Sequence, residues 1–125
     1  MKPLQRSHRS PSRLASVQNA LRGLRVLLSQ PNARIHMWVS AVVIALGYKL
    51  AITPTQWLAV TLAIALVITA EAFNTAIEYA VDLVSPQWQP LARDIKDVAA
   101  AAVLISSLGA AMVGLLVFGR VLNIL

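Results

Sequence analysis

The sequence contains no cysteine and very little acidic charge. Without cysteine, disulfides and thiolate metal sites are excluded. Only five residues are Asp or Glu, against eleven Lys and Arg, and all charged residues together make up 13% of the chain. With 58% hydrophobic residues, a chain of 125 residues is too apolar to cover its surface in water. We therefore expect a single domain embedded in a membrane.

Signatures of soluble nucleotide-binding and nucleic-acid-binding proteins are also missing. There is no G-x-x-x-x-G-K-[ST] phosphate loop and no glycine-rich loop, which excludes the designs of soluble kinases. No basic-aromatic recognition motif is present, so we expect no nucleic-acid partner. Seven of the eleven Lys and Arg lie before residue 35. This uneven distribution favours anionic lipid headgroups as partners.

Hydrophobic periodicity predicts an all-α membrane protein with an N-terminal amphipathic surface helix and three transmembrane helices. Residues 1–13 are expected to form a basic, disordered tail, and residues 14–125 a single membrane domain. The surface helix is predicted over 14–30, because Leu and Val recur there on one helical face. Pro31 either ends this helix or starts the next one. The transmembrane helices are predicted at about 35–52, 56–84 and 95–120.

Two short connections and the loop charges complete the predicted topology. A threonine of the turn Thr53-Pro54-Thr55 is the expected N-cap of the second transmembrane helix. The two prolines of the segment 85–90 predict a loop after that helix. Most cations lie on the side of the membrane that holds the N-terminus and this loop. The positive-inside rule therefore places both in the cytoplasm.

An acidic motif follows directly on the apolar run of the second transmembrane helix. If both form one helix, Glu71, Asn74, Glu78 and Asp82 fall within an arc of roughly 80° on one face. Ionisable groups at membrane depth are costly and indicate a functional site. The alternative interpretation is a solvated helix end at the cytoplasmic face.

A second charged cluster, Arg93-Asp94-Ile95-Lys96-Asp97, is predicted at the start of the third transmembrane helix. Helix N-termini and lysines favour phosphate groups, and carboxylates suit Mg²⁺ bound to phosphates. The two clusters together favour phosphoryl transfer from a nucleotide to a lipid alcohol. From composition and spacing alone the reaction stays open, since Lys96 and Asp97 also fit a simple charge pair at a helix start.

Three blocks of the sequence resemble one protein family. Glu71-Ala-Phe-Asn74-Thr-Ala-Ile-Glu78-Tyr-Ala-Val-Asp82 resembles the signature E-x-x-N-[ST]-A-I-E-x-x-x-D of the prokaryotic diacylglycerol kinase family, which includes undecaprenol kinases. Lys96-Asp97-Val-Ala-Ala-Ala-Ala-Val is similar to its second block, K-D-x-x-[SA]-A-A-V. The segment 32–36, N-A-R-I-H, resembles the N-x-R-x-H block of the undecaprenol-kinase branch. The resemblance covers roughly residues 14–120.

This resemblance implies a homotrimeric, MgATP-dependent lipid kinase of a bacterial inner membrane, with active sites shared between subunits. Glu71 matches the catalytic base and Glu78 a metal-binding glutamate. The other implied nucleotide-binding positions are Asn74, Gln87, Gln89, Lys96 and Asp97, and the candidate substrate-binding residues are Arg22, Arg25, Glu71 and Ala100.

The sequence departs from the family at Gln30. Members often carry a glutamate there, which completes the metal site with the glutamate of the second transmembrane helix. An amide oxygen can coordinate Mg²⁺ but brings no charge. We therefore expect Gln30 as a neutral metal ligand, or a water in its place.

Undecaprenol and diacylglycerol both stay open as substrates, in cell-wall lipid-carrier or phospholipid metabolism. The N-x-R-x-H block favours undecaprenol. The competing hypothesis is a non-catalytic lipid- or nucleotide-binding membrane protein of the same fold, and Gln30 is the feature that favours it. An ion or proton carrier would use the acidic face but would not explain Lys96 and Asp97.

Overall fold

A computed structural model describes residues 12–124 of the chain. Over this range the protein is built from helices without a strand, which confirms the predicted all-α class. The four helices are α1 (Arg13–Ser29), α2 (Pro31–Lys49), α3 (Pro54–Val84) and α4 (Pro90–Val121). The predicted disorder of residues 1–13 falls almost entirely outside the described range. Its last residue, Arg13, already belongs to α1, since the Ser12 side chain accepts a hydrogen bond from the Ala15 N–H at 3.3 Å.

A single residue separates α1 from α2. Gln30 has an extended backbone (φ −78°, ψ 133°) and is both the C-cap of α1 and the N-cap of α2. Pro31 occupies the first turn of α2. A residue before proline is disfavoured in the α region, whereas proline suits the first helical position. Pro31 thus restarts the helix, and α2 begins four residues before the predicted start at residue 35 and ends before residue 52.

The predicted N-cap of α3 is confirmed. The Thr53 hydroxyl accepts a hydrogen bond from the Gln56 N–H at 3.3 Å, and the Gln56 side chain accepts one from the Thr53 N–H at 2.8 Å. This capping box satisfies two backbone donors at the helix start. From there α3 runs for 31 residues through the acidic motif to Val84. The apolar run and the motif therefore form one helix, as predicted.

The start predicted for the last helix, near residue 95, is wrong. Pro90 lies in the first turn of α4, and the loop covers only residues 85–89. Lys96 and Asp97 are consequently the seventh and eighth residues of the helix. The field of a helix dipole fades within the first turn. The N-terminal dipole therefore does not reach these two side chains, contrary to the sequence-based expectation.

Helices α3 and α4 form an antiparallel hairpin that holds most of the buried residues. One end of their contact is apolar, with Ile52, Val60 and Val117 in one cluster. The other end is polar, because Glu71 and Asn74 are buried on the same face of α3. On α3, the buried positions from Val60 to Asn74 lie seven, four and three residues apart, which is typical of helices packed along a shallow left-handed seam. The hairpin thus fixes how deep each polar group of α3 lies.

Among the helices of residues 12–124, α3 and α4 are long and apolar enough to cross a bilayer, with mean hydropathies of 1.8 and 2.3. Large apolar side chains on the outer face of α4, such as Leu104, Ile105 and Leu108, are exposed. Such a surface suits lipid. The crossing by α2 and the placement of α1 in the membrane interface stay predictions. Most apolar residues of α1 are exposed in the single chain, and Leu27 is the one buried residue within Arg13–Ser29.

Candidate functional site

The four polar residues of the α3 motif differ in burial along the helix. Glu71 is 2% exposed and Asn74 6%, Glu78 is half-buried, and the Asp82 side chain is 63% exposed. The face predicted from the i, i+3, i+7, i+11 spacing therefore leads from the interior of the helix bundle to its surface. A solvated helix end accounts for Asp82 but not for the buried pair. We call these four residues the acidic face.

Asn74 joins two members of the acidic face. Its Nδ2 donates a hydrogen bond to Glu78 Oε1 at 3.0 Å. Its Oδ1 is buried and has no hydrogen-bond partner among the described residues. A buried acceptor without a partner is rare in proteins, because its loss of hydration is not compensated. Asn74 thus orients Glu78 and offers an oxygen that a donor or a cation would satisfy.

Glu71 lies at the buried end of the acidic face. The ionisable groups near it are His36 on α2 and Glu78, seven residues further along α3. His36 itself is half-buried and lines a cavity of about 390 Å³ between α2, α3 and α4. A carboxyl group this deeply buried is costly unless its surroundings compensate it. The structure therefore places Glu71 in the helix contact, away from open solvent.

An ion pair connects the exposed end of the acidic face to α4. Lys96 Nζ lies 2.5 Å from Asp82 Oδ1, and both side chains are partly exposed. The sequence left the role of Asp82 unassigned, because a spacing of 14 residues does not predict contact. The hairpin brings the two together. Asp82 thereby holds one face of the Lys96 ammonium, which keeps further donors for a phosphate.

The loop between α3 and α4 forms a polar pocket of about 270 Å³. Of the predicted nucleotide-binding residues, Gln87, Gln89, Lys96 and Asp97 line it, whereas Asn74 and Glu78 do not. Trp88 also lines it and is 76% exposed. We call this cavity the loop pocket. Its complete lining is Val81, Asp82, Ser85, Pro86, Gln87, Trp88, Gln89, Ala92, Arg93, Lys96 and Asp97.

Gln30 contacts α3 at Tyr79, for which no role was predicted from the sequence. Its Nε2 donates a hydrogen bond to the Tyr79 hydroxyl at 2.8 Å. Tyr79 is the residue after Glu78, so Gln30 does approach the part of α3 where a metal ligand was expected. Its amide nitrogen donates to the phenol, whereas the amide oxygen, the atom that could bind a cation, takes no part in this bond. Tyr79 could not be found from sequence, because 49 residues separate it from Gln30.

An apolar groove of about 570 Å³ runs between α1 and α3. Its α1 side includes Gly23 and Leu24, which lie between the predicted substrate-binding residues Arg22 and Arg25. Both arginines are exposed, and Arg22 donates a hydrogen bond to Asn19. The groove is lined by Ala20, Gly23, Leu24, Val26, Leu27, Ile68, Thr69, Ala72, Phe73, Thr75, Ala76 and Tyr79. The remaining predicted substrate residue, Ala100, is exposed on α4 and lines neither the groove nor the loop pocket.

The available donors limit the kind of metal site that the chain can form. Within residues 12–124 there is no group of three His, Cys, Asp or Glu side chains arranged to hold an ion. Glu78 and the unpartnered Asn74 Oδ1 provide one carboxylate and one amide oxygen. Mg²⁺ typically binds one or two carboxylates together with substrate phosphates and waters. The donor set therefore fits an ion that arrives with a nucleotide, and does not fit a site made by protein alone.

Comparison with known proteins agrees with this geometry. The family described as prokaryotic diacylglycerol kinase matches residues 18–118, a range that contains the acidic face, the loop pocket and the α1–α3 groove. The chain belongs to this family. Family membership, predicted from the motifs around Glu71 and Lys96, is thereby confirmed.

Two relatives illustrate the range of names within the family. The chain is 32% identical over 90 residues to an undecaprenol kinase of Bacillus subtilis, an alignment that covers 72% of this chain and 73% of the relative. It is 35% identical over 107 residues to a diacylglycerol kinase of Synechocystis, covering 84% of this chain but only 61% of that relative. Both names denote lipid kinases and they differ in the lipid.

Proposed function

We propose that the protein is an integral-membrane lipid kinase that transfers the γ-phosphate of ATP to the hydroxyl of a lipid alcohol. The observation that carries the proposal is the continuity of the site. One helix leads from the buried Glu71 to the exposed Asp82, and the Asp82–Lys96 pair joins that helix to the loop pocket. A lipid alcohol in the membrane and a nucleotide in the cytoplasm can meet along such a face.

The proposed residue roles are those that the family resemblance implies. Glu71 accepts the proton of the lipid hydroxyl while the hydroxyl oxygen forms a bond to the γ-phosphorus. The bond between that phosphorus and the bridging oxygen breaks, and ADP leaves. Lys96 interacts with the charge that develops on the phosphates. Gln87, Gln89 and Asp97 hold the nucleotide at the loop pocket.

Glu78 and Asn74 are the residues that would hold Mg²⁺ together with the nucleotide. The ion would neutralise charge on the phosphate oxygens. The Asn74 amide keeps the Glu78 carboxylate in place by its 3.0 Å hydrogen bond. It also leaves the Oδ1 atom to face a cation or a donor.

The burial of Glu71 sets a condition on catalysis. In the single chain Glu71 is 2% exposed, and we expect the lipid hydroxyl to reach its carboxyl group when the surrounding helices move apart. Gating motions of this kind control access in many enzymes. The expected consequence is a turnover rate that depends on helix mobility as well as on chemistry.

We propose undecaprenol as the first substrate to test and diacylglycerol as the second. The N-x-R-x-H block and the relative named undecaprenol kinase support this order. The α1–α3 groove supplies an apolar surface for the lipid chain, and Arg22 and Arg25 beside it would contact phosphates of neighbouring membrane lipids. The proposed assembly is a homotrimer in a bacterial inner membrane, with three crossings per subunit and a cytoplasmic active site.

The test is phosphate transfer from γ-labelled ATP to purified undecaprenol and diacylglycerol, using the full chain in detergent with Mg²⁺. We expect a labelled lipid phosphate with at least one of the two lipids. Transfer to neither lipid, by a folded protein that binds ATP, would overturn the kinase proposal. It would favour the second candidate, a nucleotide- or lipid-binding membrane protein without catalysis, which is supported by the neutral Gln30 where the family often carries a glutamate.

A further inference from the structure

The contact between Gln30 and Tyr79 ties two parts of the chain that have few other polar links. The Gln30 side chain makes no capping hydrogen bond to α2, although Gln30 is its N-cap residue. The side chain instead reaches the Tyr79 hydroxyl at 2.8 Å. A cap would use the amide oxygen as acceptor, whereas the bond to Tyr79 uses the amide nitrogen as donor. With a partner 49 residues away and none in the first turn of α2, the side chain is placed by tertiary structure.

This hydrogen bond lies at the junction between α1 and α2. Gln30 is the single residue between α1 and α2, so its position sets where α1 ends. Leu27 is the one buried residue of α1 within Arg13–Ser29, which leaves that helix weakly held by packing. The Gln30–Tyr79 hydrogen bond is therefore a polar link that helps to keep the C-terminal end of α1 against α3.

Tyr79 links the same bond to the groove. Its side chain lines the α1–α3 groove together with residues of both helices, whereas it does not line the loop pocket. Fixing the phenol therefore fixes one end of the groove and the separation of its two walls. Glu78, in contrast, is oriented from within α3 by Asn74 and does not depend on Gln30 for its hydrogen bond.

We propose that Gln30 is a positioning residue for the lipid substrate, acting through Tyr79, and not a ligand of the metal. The inference rests on the proposed function for its consequence, lipid binding in the α1–α3 groove. At the position where the family often carries a glutamate, this chain has a residue that hydrogen-bonds to α3. A neutral hydrogen bond from the α1–α2 junction to α3 shapes the groove. Binding of the metal then depends on Glu78, Asn74 and the nucleotide.

A double-mutant cycle tests this assignment. Gln30→Ala, Tyr79→Phe and the double variant are compared for the KM of the lipid, the KM of ATP and the Mg²⁺ concentration at half-maximal rate. Each single variant is expected to raise the lipid KM by about two- to tenfold, the range of one neutral hydrogen bond. The lipid KM of the double variant should be no higher than that of the more impaired single variant, because both substitutions remove the same bond. The Mg²⁺ midpoint should not change.

Matched controls and a conservative variant sharpen the result. Gln18→Ala and Tyr48→Phe remove the same groups from exposed positions on α1 and α2 and should leave the lipid KM unchanged. Gln30→Glu removes the donor, but its carboxylate can accept a hydrogen bond from the Tyr79 hydroxyl, so the variant should preserve the lipid KM. Additive effects of the two single variants would overturn the proposal. A shifted Mg²⁺ midpoint for Gln30→Ala but not for Tyr79→Phe would do the same and would identify Gln30 as a metal ligand.

Two readouts do not require turnover and separate this inference from the proposed function. Binding of Mn²⁺ to the protein with a non-hydrolysable ATP analogue, followed by electron paramagnetic resonance, should be equal for the parent and Gln30→Ala. Thermal unfolding in detergent should show non-additive shifts in Tm for the two single variants and the double variant. If no lipid is phosphorylated, the kinase proposal fails, and these two measurements still decide whether Gln30 acts through Tyr79. A weaker Mn²⁺ signal for Gln30→Ala or additive Tm shifts would contradict it.

Discussion

Glu71 and Glu78 have the same side chain and lie on the same face of α3, but the structure gives them different surroundings. Glu71 is buried in the helix contact, whereas Glu78 is half-buried and accepts a hydrogen bond from Asn74. A group that accepts a proton and a group that holds a cation need such different environments, since desolvation favours a neutral carboxyl and cation binding favours a charged one. The proposed division of roles therefore agrees with burial.

At the residue scale, we expect Glu71→Gln to lower the rate of phosphate transfer by about 100-fold or more, because general-base catalysis contributes about 10²–10⁴-fold. The amide has nearly the same shape, so ATP binding should persist. The measurement is single-turnover transfer from γ-labelled ATP, with nucleotide binding measured separately. Asp94→Asn is the matched control, since the Asp94 side chain is exposed and pairs only with Arg93 among the described residues. Full turnover by Glu71→Gln would remove the base role from Glu71.

Residue types and spacing were enough to predict which side chains of α3 matter, but not their partners. The helical period placed Glu71, Asn74, Glu78 and Asp82 on one face, and the structure shows that face. The pairing of Asp82 with Lys96 depends on how two helices align. No local rule of sequence specifies that alignment.

At the scale of elements, the ends of α3 and α4 decide what the charged cluster does. The second proline of the loop segment, Pro90, starts α4 because proline is favoured in the first turn of a helix. Lys96 therefore lies on the side of a formed helix, one turn beyond the reach of the N-terminal dipole, and faces Asp82. The ion pair with Asp82, and not the helix dipole, therefore orients Lys96.

We expect Asp82→Asn to raise the KM of ATP several-fold, because Lys96 loses the partner that holds it beside the loop pocket. The free energy of unfolding should change by less than about 1 kcal/mol, since ion pairs this exposed contribute little to stability. Steady-state kinetics and thermal melts in detergent measure the two effects. Asp94→Asn removes the neighbouring exposed pair with Arg93 and should change neither. An unchanged KM with a large loss of stability would make the Asp82–Lys96 pair purely structural.

At the scale of the whole molecule, the α3–α4 hairpin forms a polar end near the loop and an apolar end near the turn between α2 and α3. Gly47 allows that turn to pack closely, because a Cβ there would lie 2.8 Å from the Trp57 ring. The apolar length of the hairpin suits the interior of a bilayer, and the polar end suits its surface. From the positive-inside rule we expect this end to face the cytoplasm.

The absence of native cysteine allows a direct test of this topology. Thr55→Cys places a single thiol at the start of α3, and Asp94→Cys places one near the start of α4. In intact cells a membrane-impermeant maleimide should label the first variant, and the second only after permeabilisation. Labelling of both from outside, or of neither, would contradict three crossings with a cytoplasmic loop. Equal labelling of the two variants after permeabilisation is the control for reactivity.

The sequence by itself determined the membrane character, the helical class, the length of α3 and the positions of the acidic face. These follow from composition, from the 3.6-residue period and from local capping by Thr53, all of which act over a few residues. Only the tertiary structure decided that Asp82 meets Lys96, that Gln30 meets Tyr79, and that Glu71 is buried while Asp82 is exposed. Contacts across 14 or 49 residues depend on how helices pack, and packing is settled by the shapes of all the facing side chains together.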